Sequence, residues 1–130
     1  KDNKPHIFDI LRKKLILLTP EEWVRQHVIK FLISQNIPKN HIAVEKKIVI
    51  NKMTKRFDLV VHDRNGNILL LIECKAPNVK IDQKVFDQTS VYNQYLKSEF
   101  LMITNGLNHF YFKVDDKAKT YKFVKNFPLK

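Results

Sequence analysis

Asp58, Glu73 and Lys75 are two acids and an amine that a single hairpin would gather at one place. Phe57 to His62 reads as an apolar strand and Ile68 to Lys75 as a second, with Asp63-Arg64-Asn65-Gly66-Asn67 between them. Asn-Gly between apolar runs is a strong signal for a two-residue hairpin turn. With Asn65 and Gly66 at the centre of a type I′ turn, Asp58 faces Glu73 across the pair, their Cβ atoms roughly 4.5–5.5 Å apart. The alternation agrees, since Phe57, Leu59, Val61, Ile68, Leu70, Ile72 and Cys74 all fall on the other face and are all apolar. A slip of one residue would bury the acids. Lys75, two residues past Glu73, shares the acidic face. Carboxylates so placed repel each other, and a hard cation such as Mg²⁺, with Mn²⁺ as its substitute, relieves the repulsion through oxygen ligands. The plain alternative is a pair of polar strand ends with a solvated lysine. Against it stands the apolar run Ile68 to Ile72 that Glu73 and Lys75 terminate, the mark of a strand covered on both faces.

The elements that must hold these residues follow from local signals. Thr19-Pro20-Glu21-Glu22 combines an N-cap Thr, Pro at the first helical position and Glu at the third, which predicts a helix from Pro20 to about Ser34. Val24, Val28, Phe31 and Leu32 recur along it at helical spacing, and Ile37-Pro38 closes the segment. Ile42 to Ile50 reads as a strand. After the central hairpin, Ala76-Pro77-Asn78 breaks the chain, and a second helix is expected from about Asp82 to Lys97. Phe100 to Thr104 is a short strand, Asn105-Gly106 turns the chain, and His109 to Val114 with Thr120 to Val124 makes a closing hairpin around Asp115-Asp116-Lys117. Residues 1–18 form an arm in which Leu15 to Leu18 is a short strand or packs on the core. The order is helix, three strands, helix, more strands: an α/β chain.

The 130 residues suit one domain with a real core. Lys and Arg number 24 against 13 Asp and Glu, a formal charge of +11 that favours a polyanion such as DNA as partner. The basic residues are scattered, so a solvated basic surface is the bland alternative. One cysteine, Cys74, excludes an internal disulfide and a Cys-based zinc site, and a reducing, cytoplasmic setting is the expectation. No apolar run approaches the roughly 20 residues needed to span a bilayer, so no membrane is expected. The five histidines share no metal-ligand spacing, and only Gly66 and Gly106 are present, so no Gly-rich phosphate loop or ATP-binding P-loop exists in these residues.

Asp58 with Glu73-Cys74-Lys75 resembles the PD-(D/E)XK signature of a nuclease superfamily. Gln88-Thr89-Ser90-Val91-Tyr92 resembles the QxxxY element of RecB-like nucleases and type I restriction subunits. Thr19 to Gln26, Leu71 to Pro77 and Thr104-Asn105-Gly106 are similar to the N-terminal domain of the type I restriction enzyme R protein, so the likeness covers most of the chain. Phe57 departs from the pattern at the loosely kept proline.

The resemblance implies a restriction-endonuclease-like core, a central mixed sheet flanked by helices, over residues 1–130. It implies metal-dependent phosphodiester hydrolysis of DNA, with Asp58, Glu73 and the Cys74 carbonyl holding Mg²⁺. Lys75 would orient the attacking water and stabilise charge on the phosphate. Glu21 matches the first-helix acid of the family and is a further candidate ligand, with Glu22 its competitor; a first-turn acid serving the helix dipole is the alternative. Gln88 and Tyr92 would face the site from the second helix, the alternative being a surface amide and a core aromatic. Other restriction-modification subunits or a motor domain are the implied partners. Two other functions compete with the nuclease: a DNA-binding module without hydrolysis, and an assembly domain of a restriction complex.

Overall fold

A computed structural model of the chain describes residues 3–50, 52–115 and 120–129, with the side chains of residues 48, 50, 53 and 92–96 also outside the description. The arm is a hairpin of its own, β1 (His6–Asp9) against β2 (Lys14–Leu17). Helix α1 spans Pro20–Ser34. Its start is set as the sequence predicts: Thr19 is extended, and its Oγ1 accepts from the Glu22 amide at 3.1 Å. A 3₁₀ turn at Lys39–His41 leads into β3 (Ile42–Ile50), followed by β4 (Met53–His62) and β5 (Ile68–Cys74). Helix α2 (Gln83–Leu96) crosses to β6 (Phe100–Thr104), and β7 (His109–Asp115) and β8 (Thr120–Val124) follow. Asp82 precedes α2 rather than opening it, its Oδ1 accepting from the Val85 amide at 3.1 Å. The expected turn at Asp115-Asp116-Lys117 falls in part outside the described residues.

Strands β3 to β8 form one sheet in sequence order, antiparallel throughout except for the parallel pair β5 and β6, which the α2 crossover requires. The sheet is therefore mixed, with a helix on each face. On one side Val24, Ile29 and Leu32 of α1 pack on Leu59, Leu70 and Ile72. On the other, Phe86 of α2 packs against Phe57, Val60, Leu71 and Leu101. β5 is thus covered twice, as its unbroken apolar run demands. No helix among the described residues is long and apolar enough to cross a membrane.

The central hairpin keeps the expected register by a different route. Leu59 pairs with Ile72, Val60 with Leu71 and Val61 with Leu70, the alignment that an Asn65-Gly66 centre predicts. The turn itself is longer. The Asp63 amide donates to the Asn67 carbonyl at 2.8 Å and the Gly66 amide to the Asp63 carbonyl at 3.1 Å, so three residues form the loop, with Gly66 at φ 86. His62 accordingly faces Ile68, and an irregularity between Val61 and His62 leaves Leu69 as the extra residue. A three-residue loop and a one-residue bulge together place the strands as a two-residue turn would have.

Two residues expected on the Leu59 face lie elsewhere. Ile68, beyond the bulge, packs with the α2-side cluster. Phe57 does so as well. Its displacement traces to a break between the pairs Val44 with Leu59 and Lys46 with Phe57, where Glu45 adopts φ 52. The alternation of faces is interrupted there, which frees Asp58 to turn away from the regular pleat.

Candidate active site at the end of the central strands

The Asp58 side chain projects from β4 at that break, and both of its oxygens are engaged. Oδ2 accepts from the Cys74 amide at 2.8 Å and Oδ1 from Arg25 Nη2 of α1 at 3.0 Å. Glu73 precedes Cys74 on β5, and its carboxyl lies near enough to Asp58 for the Asp58 charge to act on it. Burial first, and the Asp58 charge second, push the Glu73 carboxyl up to about 7. Two cations oppose this: Lys75 Nζ lies 3.5 Å and Lys55 Nζ 4.0 Å from Glu73 Oε2. Glu73, Lys75 and Lys55 line a cleft of about 370 Å³, which Gln88, Thr89 and Val91 of α2 close from the other side.

Glu73, Lys75 and Gln88 therefore line one cleft, with Asp58 near enough for its charge to act on Glu73. Tyr92 lies on α2, and its side chain is outside the described ones. The Cys74 thiol is buried on the α1 side, and its pKa is pushed well above the ordinary value by burial and then by Asp58, which leaves it an inert hydrophobe.

Glu21 is placed differently from expectation. It is exposed on the outer side of the first turn, whereas Glu22 is buried. Glu22 accepts from Arg12 Nη2 at 2.8 Å, Arg25 Nη1 at 3.1 Å and Gln26 Nε2 at 2.8 Å. Capping and burial are compatible because the N-cap bond uses the Glu22 backbone and leaves its side chain free to turn inward. The acid of α1 that reaches the site network is Glu22.

Around Glu22 runs an ion-pair network with no counterpart in the expectations. Arg12 bonds Asp9 at 2.6 Å, and Arg25 bonds Glu45 at 3.0 Å as well as Asp58 and Glu22. Asp9 is fully buried; burial would raise its pKa, but bonds from Arg12 and Gln26 and the Leu11 amide hold it below the ordinary carboxylate value. Burial likewise works against the charge of Arg25, and Glu22, Asp58 and Glu45 outweigh it. The first hairpin is thereby bound to the helix that clamps Asp58. The signal for this was helical spacing: Glu22, Arg25, Gln26 and Ile29 stand at i, i+3, i+4 and i+7, and all are buried, so polar residues continue the core-facing stripe. Lys55 carried no comparable signal, because it reaches the cleft only through the length of β4.

Residues 20–128 match the model of the family described as type I restriction enzyme R protein N terminus. The fold is similar to that of a fragment inferred to be an HsdR subunit of a type I restriction enzyme from Vibrio vulnificus YJ016, with TM-score 0.61 and 20% identity over 85% of this chain. This chain spans 24% of that one. It is also similar to a protein from Anabaena variabilis ATCC 29413, inferred to be a nuclease belonging to DUF820, with TM-score 0.54 and 10% identity over 96% of this chain and 81% of the other. No curated protein matches. At these identities the likeness to solved structures is one of fold, the restriction-endonuclease-like mixed sheet flanked by helices.

Proposed function

Because the chain belongs to the family of type I restriction enzyme R protein N termini, we propose that it is a metal-dependent DNA endonuclease domain that hydrolyses phosphodiester bonds at the Asp58–Glu73–Lys75 cleft. The observation that carries this reading is Lys75 Nζ 3.5 Å from the buried Glu73 carboxyl in a cleft that Gln88 closes, with the Asp58 charge acting on Glu73. Carboxyls that act on each other, one of them pushed up to about 7, fit a hard divalent cation. In an extended strand the N–H and C=O of one residue point to the same side. The Cys74 amide faces Asp58, so its carbonyl is a third oxygen suited to Mg²⁺ or Mn²⁺. When bound, the metal would supply Lewis-acid polarisation of a phosphate oxygen and acidify water.

The chain's own residues do the rest. Lys75 orients the attacking water and offers its ammonium to the charge that grows on the phosphate. Glu73 positions that ammonium. Gln88 contacts the substrate from α2, and Arg25 fixes the carboxylate of Asp58 from α1. Glu21, exposed, has no part in this arrangement, and Glu22 acts through Arg25. DNA is the substrate class favoured by the charge of +11. Other restriction subunits, or a motor domain that delivers the DNA, are proposed as partners.

A second reading has its own support. Arg25 already neutralises Asp58 at 3.0 Å, as a domain that binds DNA without hydrolysing it would allow. Plasmid nicking or linearisation with Mg²⁺ separates the two. The nuclease reading expects cleavage that Lys75→Ala and Glu73→Gln abolish. Equal activity in wild type and Lys75→Ala refutes it, and salt-sensitive binding without cleavage in wild type supports the binding module.

A further inference from the structure

The β3–β4 hairpin is longer than the sheet that carries it. β4 begins at Met53, but its described ladder with β5 covers only Leu59 to His62, and β3 follows β4 outward to the pair Ile50 with Met53. A two-stranded ribbon therefore overhangs the sheet at the end where the cleft lies. Between Lys46 and Phe57 the sequence holds five basic residues, Lys46, Lys47, Lys52, Lys55 and Arg56, and no acid.

Their placement on the ribbon is unusual. Lys47 is the cross-strand partner of Arg56, so two exposed cations stand directly opposite each other on one face, an arrangement that destabilises a hairpin. Lys55, one residue along, projects from the opposite face and lines the cleft, 4.0 Å from Glu73. Charges on an edge strand can serve simply to block edge-to-edge pairing. That role does not call for a like-charge pair, nor for cations on both faces.

We propose that this overhang is a DNA-gripping arm that enters a groove of duplex DNA, with Lys47 and Arg56 against the backbone on one wall and Lys55 directed to the phosphates in the cleft. A ribbon lying flat on a polyanion needs one basic face; a ribbon with phosphates on both sides needs two, and the major groove, roughly 12 Å wide, admits a two-stranded ribbon. The mutual repulsion of Lys47 and Arg56 is relieved when each meets a phosphate. The proposal rests on the DNA-cleaving reading only for the choice of substrate.

The test measures binding of a 30-base-pair duplex and the matching single strand in EDTA across a salt series, for wild type and Lys47→Gln/Arg56→Gln, with plasmid cleavage in Mg²⁺ followed in parallel. The double variant is expected to bind the duplex on the order of tenfold more weakly, with a salt slope shallower by about 2. It should also melt at a higher temperature, since the repulsion is gone. Unchanged duplex affinity and slope in the folded variant overturn the arm, as does wild type that fails to bind the duplex. Aggregation of the variant at unchanged affinity would overturn the arm and assign Lys47 and Arg56 to edge protection. An equal loss on duplex and single strand overturns groove entry. Binding that depends on the arm while wild type leaves plasmid uncut would sink the nuclease reading and leave the arm standing.

Discussion

Arg25 Nη2 donates to Asp58 Oδ1 at 3.0 Å, which joins the first helix to the acid that opens the central motif. The same guanidinium serves Glu22 and Glu45, so it is shared among three carboxylates. Its Nε is buried with no hydrogen-bond partner among the described residues. A donor left unmade at such a place carries a cost. Arg25 is therefore a clamp on Asp58 that is not saturated, and a divalent cation at the two acids would compete with it for Oδ1.

The placement of the α1 acids is checked by two substitutions. Glu22→Ala removes one member of a buried network and leaves Arg12 and Arg25 short of a partner, and it is expected to cost about 3 kcal/mol or more. Glu21→Ala, on the exposed side, should stay within about 0.5 kcal/mol and leave cleavage unchanged. Urea denaturation of both variants reads the difference. Similar losses in the two would mean that the inward acid is misassigned.

Glu73 predicts a dependence of stability on pH. Its carboxyl titrates at about 7 in the folded chain against 4.5 as the ordinary value, because burial and Asp58 disfavour its charge. Between those values the folded state holds more protons than the unfolded one. Stability from this group is thus highest below pH 4.5 and falls as pH rises through 7, on the order of 3 kcal/mol in all. Thermal melts between pH 5 and pH 8 should show that decline in wild type and a flatter profile in Glu73→Gln. Mg²⁺ should restore stability at pH 8 in wild type alone. Parallel profiles for the two proteins would contradict the pKa, and a metal effect equal in both would contradict the ligand.

The two glycines differ in a way that denaturation can read. Both have positive φ, 86 at Gly66 and 89 at Gly106. A Cβ at Gly66 meets nothing within 4 Å, so Gly66→Ala is expected to cost only the left-handed strain, about 1–2 kcal/mol. At Gly106 a Cβ would lie 3.0 Å from Trp23 Cζ3 and 3.2 Å from Val24 Cγ2. Gly106→Ala should therefore cost a further 1 kcal/mol or so through overpacking against α1. Equal losses would show that Trp23 gives way freely.

What the sequence by itself determined is what short-range chemistry encodes. The Thr19-Pro20 cap fixed where α1 starts, the doubly covered run of β5 placed it at the centre, and the hairpin signal set the alignment of Leu59 with Ile72. Each is a property of neighbouring residues, and each survives any arrangement of the rest. Tertiary structure decided the remainder. The bulge at Leu69 compensates for a turn of unexpected length, and the break beside Glu45 turns Phe57 to one side and Asp58 to the other; both depend on partners across a ladder. Glu22 rather than Glu21 reaches the site because Arg12, from a separate hairpin, and Arg25 meet its carboxylate. Lys55 enters the cleft only because β4 outruns β5. Ion pairs and overhangs of this kind join residues far apart in the chain, and no local pattern records which of them will meet.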